Sequence, residues 1–285
     1  MSPLALCGMI SLVAEKPANP GESGGARMAP ATVKALDKAL HLLELLAGAG
    51  RPMGLGEVSR GAGLDPSTAH RLLRTLGARD FVRQEGRGGK YHLGLRAFEI
   101  GNAVTYVEQL RQSVRPCLEA LTVSAQETSN LAIRDGCDGI YVEQVPGPRF
   151  VRAFTEVGRR IPLHCTAVGK VLLAPLQPAE LDEFCRRRPL TACTRNTITT
   201  RPALDRELSR VREQGFAVDD EEFEPGASCV AAPVFDRAGN VVAGVSTSGP
   251  AVRFDPSTVA AFVALVHEAA QDISRRLGFV PINGV

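Results

Sequence analysis

Ser67, Thr68, His70, Arg71 and Arg74 are gathered in one short stretch, DPSTAHRLLRTL (residues 65–76). Hydroxyls, an imidazole and guanidiniums grouped this way can hydrogen-bond to base edges and to phosphate oxygens. Either arginine could pair with guanine or hold a phosphate, and the spacing does not separate the two. In the same stretch Ala69, Leu72, Leu73 and Leu76 recur at i, i+3, i+4 and i+7, an apolar stripe on one face of a helix. Ser67, Arg71 and Arg74 fall opposite that stripe. His70 flanks them on one side, Thr68 and Thr75 on the other. Charge supports the reading. From Arg71 to Arg96 seven Arg and Lys face two acids, Asp80 and Glu85, although the whole chain carries only +2. Such a local excess suggests an anion-binding face.

Flanking elements must hold this helix in place. TVKALDKALHLLELLA (32–47) predicts a helix with Val33, Leu36, Leu40, Leu43 and Leu46 on one face, ended by Gly48 and Gly50. LGEVSRGAGL (55–64) predicts a short helix with Leu55, Val58 and Ala62 inward and a tight turn at Gly63–Leu64. Asp65 can then cap the next helix, with Pro66 at its first position. Two helices joined by such a turn form a helix-turn-helix. FVRQ (81–84) and KYHLG (90–94) flank a Gly-rich tip, EGRGG (85–89). A hairpin directly after a recognition helix is a wing, and it directs Arg87 and Lys90 toward the DNA backbone. Residues 95–127 read as helical, with Leu95, Phe98, Val104 and Leu110 as a rough seam suited to a linker.

The second half has a different character. Residues 129–134, 140–145 and 149–154 read as strands, and 165–174, 179–188 and 203–214 as helices, the last stopped by Gly215. A hairpin follows at 229–236 and 241–248, then a closing helix from Pro256 to Leu277. Strands arriving in hairpins predict an antiparallel α+β sheet domain rather than a doubly wound parallel one. A helix starting near Thr166 leaves the N–H groups around Ala167 and Val168 without intrahelical partners, and these can hold a carboxylate. The alternative is that Thr166 only caps that helix. Ser246 and Ser248 lie two apart on a strand and share a face.

Other chemistry is excluded or weak. The Gly169–Lys170 dipeptide lacks the spacing of a phosphate-binding loop. His164–Cys165 reads as structural, and DDEEFE (219–224) as an acidic loop. No nucleophile–base constellation appears, so an enzyme is not predicted, nor is any cofactor or metal. Seven cysteines without C-x-x-C spacing signal neither disulfides nor zinc and fit reduced thiols in a cytoplasm. The apolar run near the N-terminus is too short to span a bilayer and lacks a basic lead-in, so no membrane partner is expected. The Pro/Gly-rich residues after it predict a disordered leader, with Met28 as a second candidate start.

Five ordered motifs carry a family resemblance: STAHRLLRTL, KYHLG, IPLHCTAVGKVLLA (161–174), VDDEEFEPGASCVAAPVFD (218–236) and VAGVSTSGP (242–250). With them the chain resembles the IclR family of bacterial transcriptional regulators over about residues 32–277. Ser59 and Ala69 depart from the family's usual Ala and Val, but remain small. The resemblance implies an N-terminal winged helix-turn-helix domain, a linker helix and a C-terminal GAF/PAS-like effector domain. It implies homodimers, often paired into tetramers, acting on double-stranded operator DNA under a small organic acid or aromatic effector. It assigns the loop before Ala167 and Val168 to the effector pocket. Asp219, Cys229, Ser246 and Ser248 also match pocket positions, and Phe150 and Ile161 match its apolar wall. For Cys229 plain core, and for Asp219 a turn cap, remain the alternatives. The resulting division is 1–31 leader, 32–94 DNA-binding, 95–115 linker, 116–277 effector-binding and 278–285 tail. Two competing readings are a thiol sensor using Cys165 or Cys229 and a metabolite-binding protein without transcriptional output.

Overall fold

The computed structural model describes residues 33–86, 88–103, 105–152 and 155–280. The expected leader, Arg87 and Val104 lie outside them. The chain divides into two compact units at Thr105/Tyr106.

In the first unit, α1 (Lys34–Ala49), α2 (Leu55–Gly61) and α3 (Pro66–Gly77) precede a two-stranded antiparallel hairpin of β1 (Val82–Gln84) and β2 (Tyr91–Leu93). Leu42, Leu46, Met53, Val58, Leu73, Val82 and Tyr91 form its core. Met53 bridges Tyr91, adding a one-residue third strand beside β2. The buried face of α1 differs from the expected one. Leu42 and Leu46 are inside, while Val33, Leu36 and Leu40 are exposed, because the hairpin and α3 cover only the C-terminal half of that helix. Gly63 makes the turn at a left-handed φ of 62°, a conformation glycine adopts without steric cost. Buried Ser59 is satisfied by the Leu55 carbonyl, 2.8 Å away. A short helix, α4 (Leu95–Asn102), follows, with Leu95, Phe98 and Ile100 exposed.

The second unit opens with α5 (Thr105–Ala125). This helix buries Leu110, Val114, Leu118 and Leu121, so its packing into this unit begins inside the stretch read as linker. A six-stranded sheet is built from β3 (Thr128–Asp135), β4 (Asp138–Val145), β5 (Arg160–Pro162), β6 (Ala217–Asp220), β7 (Ala227–Phe235) and β8 (Val241–Pro250). Its spatial order is β5-β4-β3-β8-β7-β6, and every neighbouring pair is antiparallel. One face packs on α5 and on α9 (Pro256–Arg276) through Val230, Val245, Val266 and Ile273. The other packs on α6 (Ala167–Leu173), α7 (Pro178–Arg187) and α8 (Arg201–Gln214) through Ala231, Leu172, Phe184 and Leu208. Sheet faces apolar on both sides demand such cover. Residues 149–152 are not the expected third strand. Pro146 and Pro148 lack the N–H a ladder needs, and the edge position next to β4 is taken by β5. The edge strand β6 was not anticipated.

Candidate DNA-reading face and ligand cavity

Helix α3 starts where its cap dictates. The Asp65 carboxylate accepts the Thr68 N–H at 2.9 Å and the Ser67 hydroxyl at 2.6 Å, and these hydrogen bonds hold its pKa well below the ordinary carboxylate range. Ala69 and Leu73 are buried, with Leu72 and Leu76 half-buried. Ser67, His70, Arg71 and Arg74 point to solvent, and Thr68 is half-buried. Neither Arg71 nor Arg74 is in an ion pair among the described residues, so both guanidiniums are available for phosphate or base edges. The Ser67 proton is committed to Asp65, so its oxygen faces outward as an acceptor. The Thr75 hydroxyl is turned back onto the Arg71 carbonyl at 3.0 Å. Lys90 is exposed at the start of β2.

The second unit encloses a cavity of about 320 Å³, at the small end of the range for organic ligands. Strand register builds its floor. Asp219 pairs with Cys229, and Cys229 with Ser248, so three side chains from adjacent strands stand in one row. Tyr141, Ile161 and Thr166 close one side, Phe223 and Pro225 another, and Val151, Arg152, Thr155 and Arg159 form the mouth. A buried network fixes this mouth to the sheet. Thr155 donates to Asn130 (2.7 Å), Asn130 donates to Ser248 (3.0 Å), and Gln144 donates to the Thr155 carbonyl (2.8 Å). Arg253 clamps buried Glu127 and also donates to the Val151 carbonyl at 3.0 Å.

The floor carries one titratable carboxyl, and the rim carries two guanidiniums, Arg152 and Arg159, with the Glu224 carboxylate on the same lining. Burial pushes the Asp219 carboxyl up to about 7, against the Glu222 N–H it accepts at 2.8 Å. Burial also raises the Tyr141 phenol and the Cys229 thiol well above their ordinary ranges. Tyr141 is therefore a hydroxyl donor, and Cys229 an unreactive soft wall. Arg152 and Arg159 are exposed, with no ion pair among the described residues.

Of the residues expected at the pocket, Ile161, Asp219, Cys229 and Ser248 line the cavity. Phe150 does not: it is fully exposed, and its neighbours Val151 and Arg152 take the wall. Ser246 is buried deeper on β8, beyond the lining. Ala167 and Val168 are buried in packing, with Val168 against Gly244. Thr166 caps α6 by accepting the Gly169 N–H at 3.2 Å. A Cβ on Gly169 would lie 2.3 Å from the Leu163 carbonyl oxygen, so this glycine serves helix–strand contact and leaves no room for a ligand. Sequence reasoning missed Tyr141, Thr155, Arg152 and Arg159, which lie outside the quoted motifs, and Phe223, which lies inside one but was not singled out.

It also missed Lys170. This lysine is wholly buried, 3.0 Å from Glu207 and 2.5 Å from Glu222, and also donates to the Val218 carbonyl. The detectable signal was a single charge in AVGKVLL, a helix with no polar face.

Two family models match this architecture: the IclR helix-turn-helix domain over residues 35–86 and the bacterial transcriptional regulator IclR C-terminal domain over residues 102–275. The chain belongs to the IclR family of bacterial transcriptional regulators. It is 36% identical over 247 residues to the HTH-type transcriptional regulator XynR of Escherichia coli K12, covering 87% of this chain and 98% of XynR. It is 37% identical over 242 residues to BhcR of Paracoccus denitrificans, covering 85% and 86%. The crystal structure of Thermotoga maritima IclR aligns with a TM-score of 0.70 at 31% identity, covering 87% of this chain and all of that one. A Microbacterium hydrocarbonoxydans IclR homolog complexed with 4-hydroxybenzoate aligns with a TM-score of 0.74 at 26% identity, covering 85% and 98%. As an IclR-family regulator the chain pairs a helix-turn-helix DNA-binding domain with a C-terminal effector domain, and its relatives are named as regulators rather than enzymes. No helix among the described residues is long and apolar enough to cross a membrane.

Proposed function

We propose that this regulator binds operator DNA through Ser67, Thr68, His70, Arg71 and Arg74 of α3, with Arg87 and Lys90 on backbone phosphates. It answers to a small organic acid held in the cavity of the second unit. The observation that carries the effector class is the polarity of that cavity: two guanidiniums outside any ion pair among the described residues, Arg152 and Arg159, against one carboxylate, Glu224, at the rim, above a floor of neutral Tyr141, Cys229, Ser248 and a readily protonated Asp219. A carboxylate satisfies the arginines. A hydroxyl or ring at the other end meets Asp219 and the apolar wall of Ile161 and Phe223. The relative bound to 4-hydroxybenzoate has a ligand of this chemistry.

The exposed apolar side chains of α1 and α4, Val33, Leu36, Leu40, Leu95, Phe98 and Ile100, support a homodimer, because such surface is rarely left in water. Effector binding then shifts how the two recognition helices of the dimer meet DNA in the cytoplasm, a coupling of roughly 1–3 kcal/mol. A thermal-shift screen of hydroxylated and aromatic carboxylic acids tests the effector class. At least one acid should raise the midpoint of the wild-type protein, and its effect should weaken in Arg159→Ala. Uniform silence to acids with a response to cationic or uncharged compounds would overturn it.

A further inference from the structure

We propose that Cys165 and Cys193 form a reversible disulfide when the protein meets a peroxide, a covalent modification site in the segments that support the wall of the ligand cavity. Their sulfurs lie 3.9 Å apart across 28 residues of sequence. Among the described residues no other pair of cysteine sulfurs is placed in contact. Bond formation needs an approach from that contact to about 2.05 Å.

The two thiols differ in access, and that sets the order of events. Cys193 is exposed, whereas Cys165 is fully buried and burial raises its thiol well above the ordinary range. Oxidation therefore begins at Cys193. Its thiolate attacks one peroxide oxygen; the S–O bond forms, the O–O bond breaks, and the released hydroxide takes a proton to become water. The Cys165 sulfur then attacks the Cys193 sulfur of the sulfenic acid. The S–S bond forms, the S–O bond breaks, and the departing hydroxide takes the Cys165 proton as a second water. Two thiols lose two electrons and two protons, and one hydrogen peroxide becomes two waters. A small thiol reductant reverses the change by exchange. Cys229 is partly buried on the cavity lining, and no second cysteine sulfur is in contact with it among the described residues.

The bond would act on the cavity because both cysteines sit in its supports. Cys165 immediately precedes Thr166, which lines the cavity and caps α6. Cys193 sits in a loop tied to the opposite wall: Thr194 donates to the Glu221 carbonyl at 2.7 Å, and Thr197 to the Glu222 carbonyl at 2.6 Å. Phe223 and Glu224, next along the chain, are cavity wall. The same loop is joined to the first wall by His164, whose ring nitrogen meets the Thr191 carbonyl at 3.0 Å. Drawing the sulfurs together pulls the Phe223–Gly226 side toward the Thr166 side.

The test needs no effector, so it stands apart from the ligand reading. Full-length reduced protein is treated with hydrogen peroxide, its remaining thiols are alkylated, and it is digested without reductant for peptide mass spectrometry. The expected product is a peptide pair linked through Cys165 and Cys193, lighter by two hydrogens and released by dithiothreitol. Cys193→Ser changes an exposed side chain; in that variant the Cys165 peptide should be recovered as a free thiol after the same treatment. A wild-type protein in which Cys193 proceeds to sulfinic acid, or bridges between molecules, while Cys165 remains a free thiol would overturn the proposal.

Discussion

Asp219→Asn tests the reading of the cavity floor. The asparagine keeps the shape and an acceptor for the Glu222 N–H but removes the charge. In the folded protein the Asp219 carboxyl is pushed from its usual 3.8 up to about 7, chiefly by burial, and its side chain is 4% exposed, so solvent screening is weak. The sign follows from which state holds the proton. The folded state keeps it to about pH 7 and the unfolded state loses it near pH 4, so wild-type stability falls as pH rises through that window and levels above it. Each pH unit is about 1.36 kcal/mol, so carrying the ionised form in the fold above pH 7 costs about 4 kcal/mol. The variant escapes that cost. Urea unfolding of both proteins at pH 5 and pH 8 should show the variant gaining on the wild type by about 2.5 kcal/mol between the two. Parallel stabilities across that range would refute a buried, proton-holding Asp219.

Three other substitutions probe the supports. Lys170→Met should lower stability by about 3–5 kcal/mol in chemical denaturation, because it leaves Glu222 buried without its cation. Gly169→Ala should lose about 1–3 kcal/mol and a corresponding part of the thermal midpoint, since the new Cβ meets Leu163 backbone rather than a movable side chain. Asp65→Ala should cost about 0.5–2 kcal/mol through the lost α3 cap and weaken operator binding in a gel shift, because Ser67 is no longer held in place.

Local rules made much of the first unit legible. The Asp65–Pro66 start, the Gly63 turn and the four-residue apolar stripe each state a conformation within a few residues, and the wing hairpin follows from its glycines. Asp255–Pro256 announces α9 in the same way. Reading failed where distant partners decide. Residues 149–152 have strand-like composition, but Arg253 and Glu127, far apart in sequence, hold that segment as the cavity mouth. Leu36 and Leu40 satisfy a helical stripe, yet none of the described residues of the unit buries them. Lys170, Glu207 and Glu222 meet from three elements, as do Cys165 and Cys193 from two, and no spacing in the sequence records a contact of that kind. At the cavity, Asp219, Cys229 and Ser248 were accessible through the family resemblance, whereas alternation paired Ser248 with Ser246, which lies deeper than the lining. The arginines of the mouth loop were not, because a loop has no period to read.

The claim that the outer face of α3 reads DNA is tested most directly by the affinity of wild-type and Arg71→Ala proteins for an operator fragment from upstream of the gene, measured by fluorescence anisotropy over a series of salt concentrations. The substitution should weaken binding at least tenfold, about 1.4 kcal/mol, and wild-type affinity should fall linearly on a log–log plot against salt. Equal affinities for the two proteins, or a wild-type affinity indifferent to salt, would contradict it.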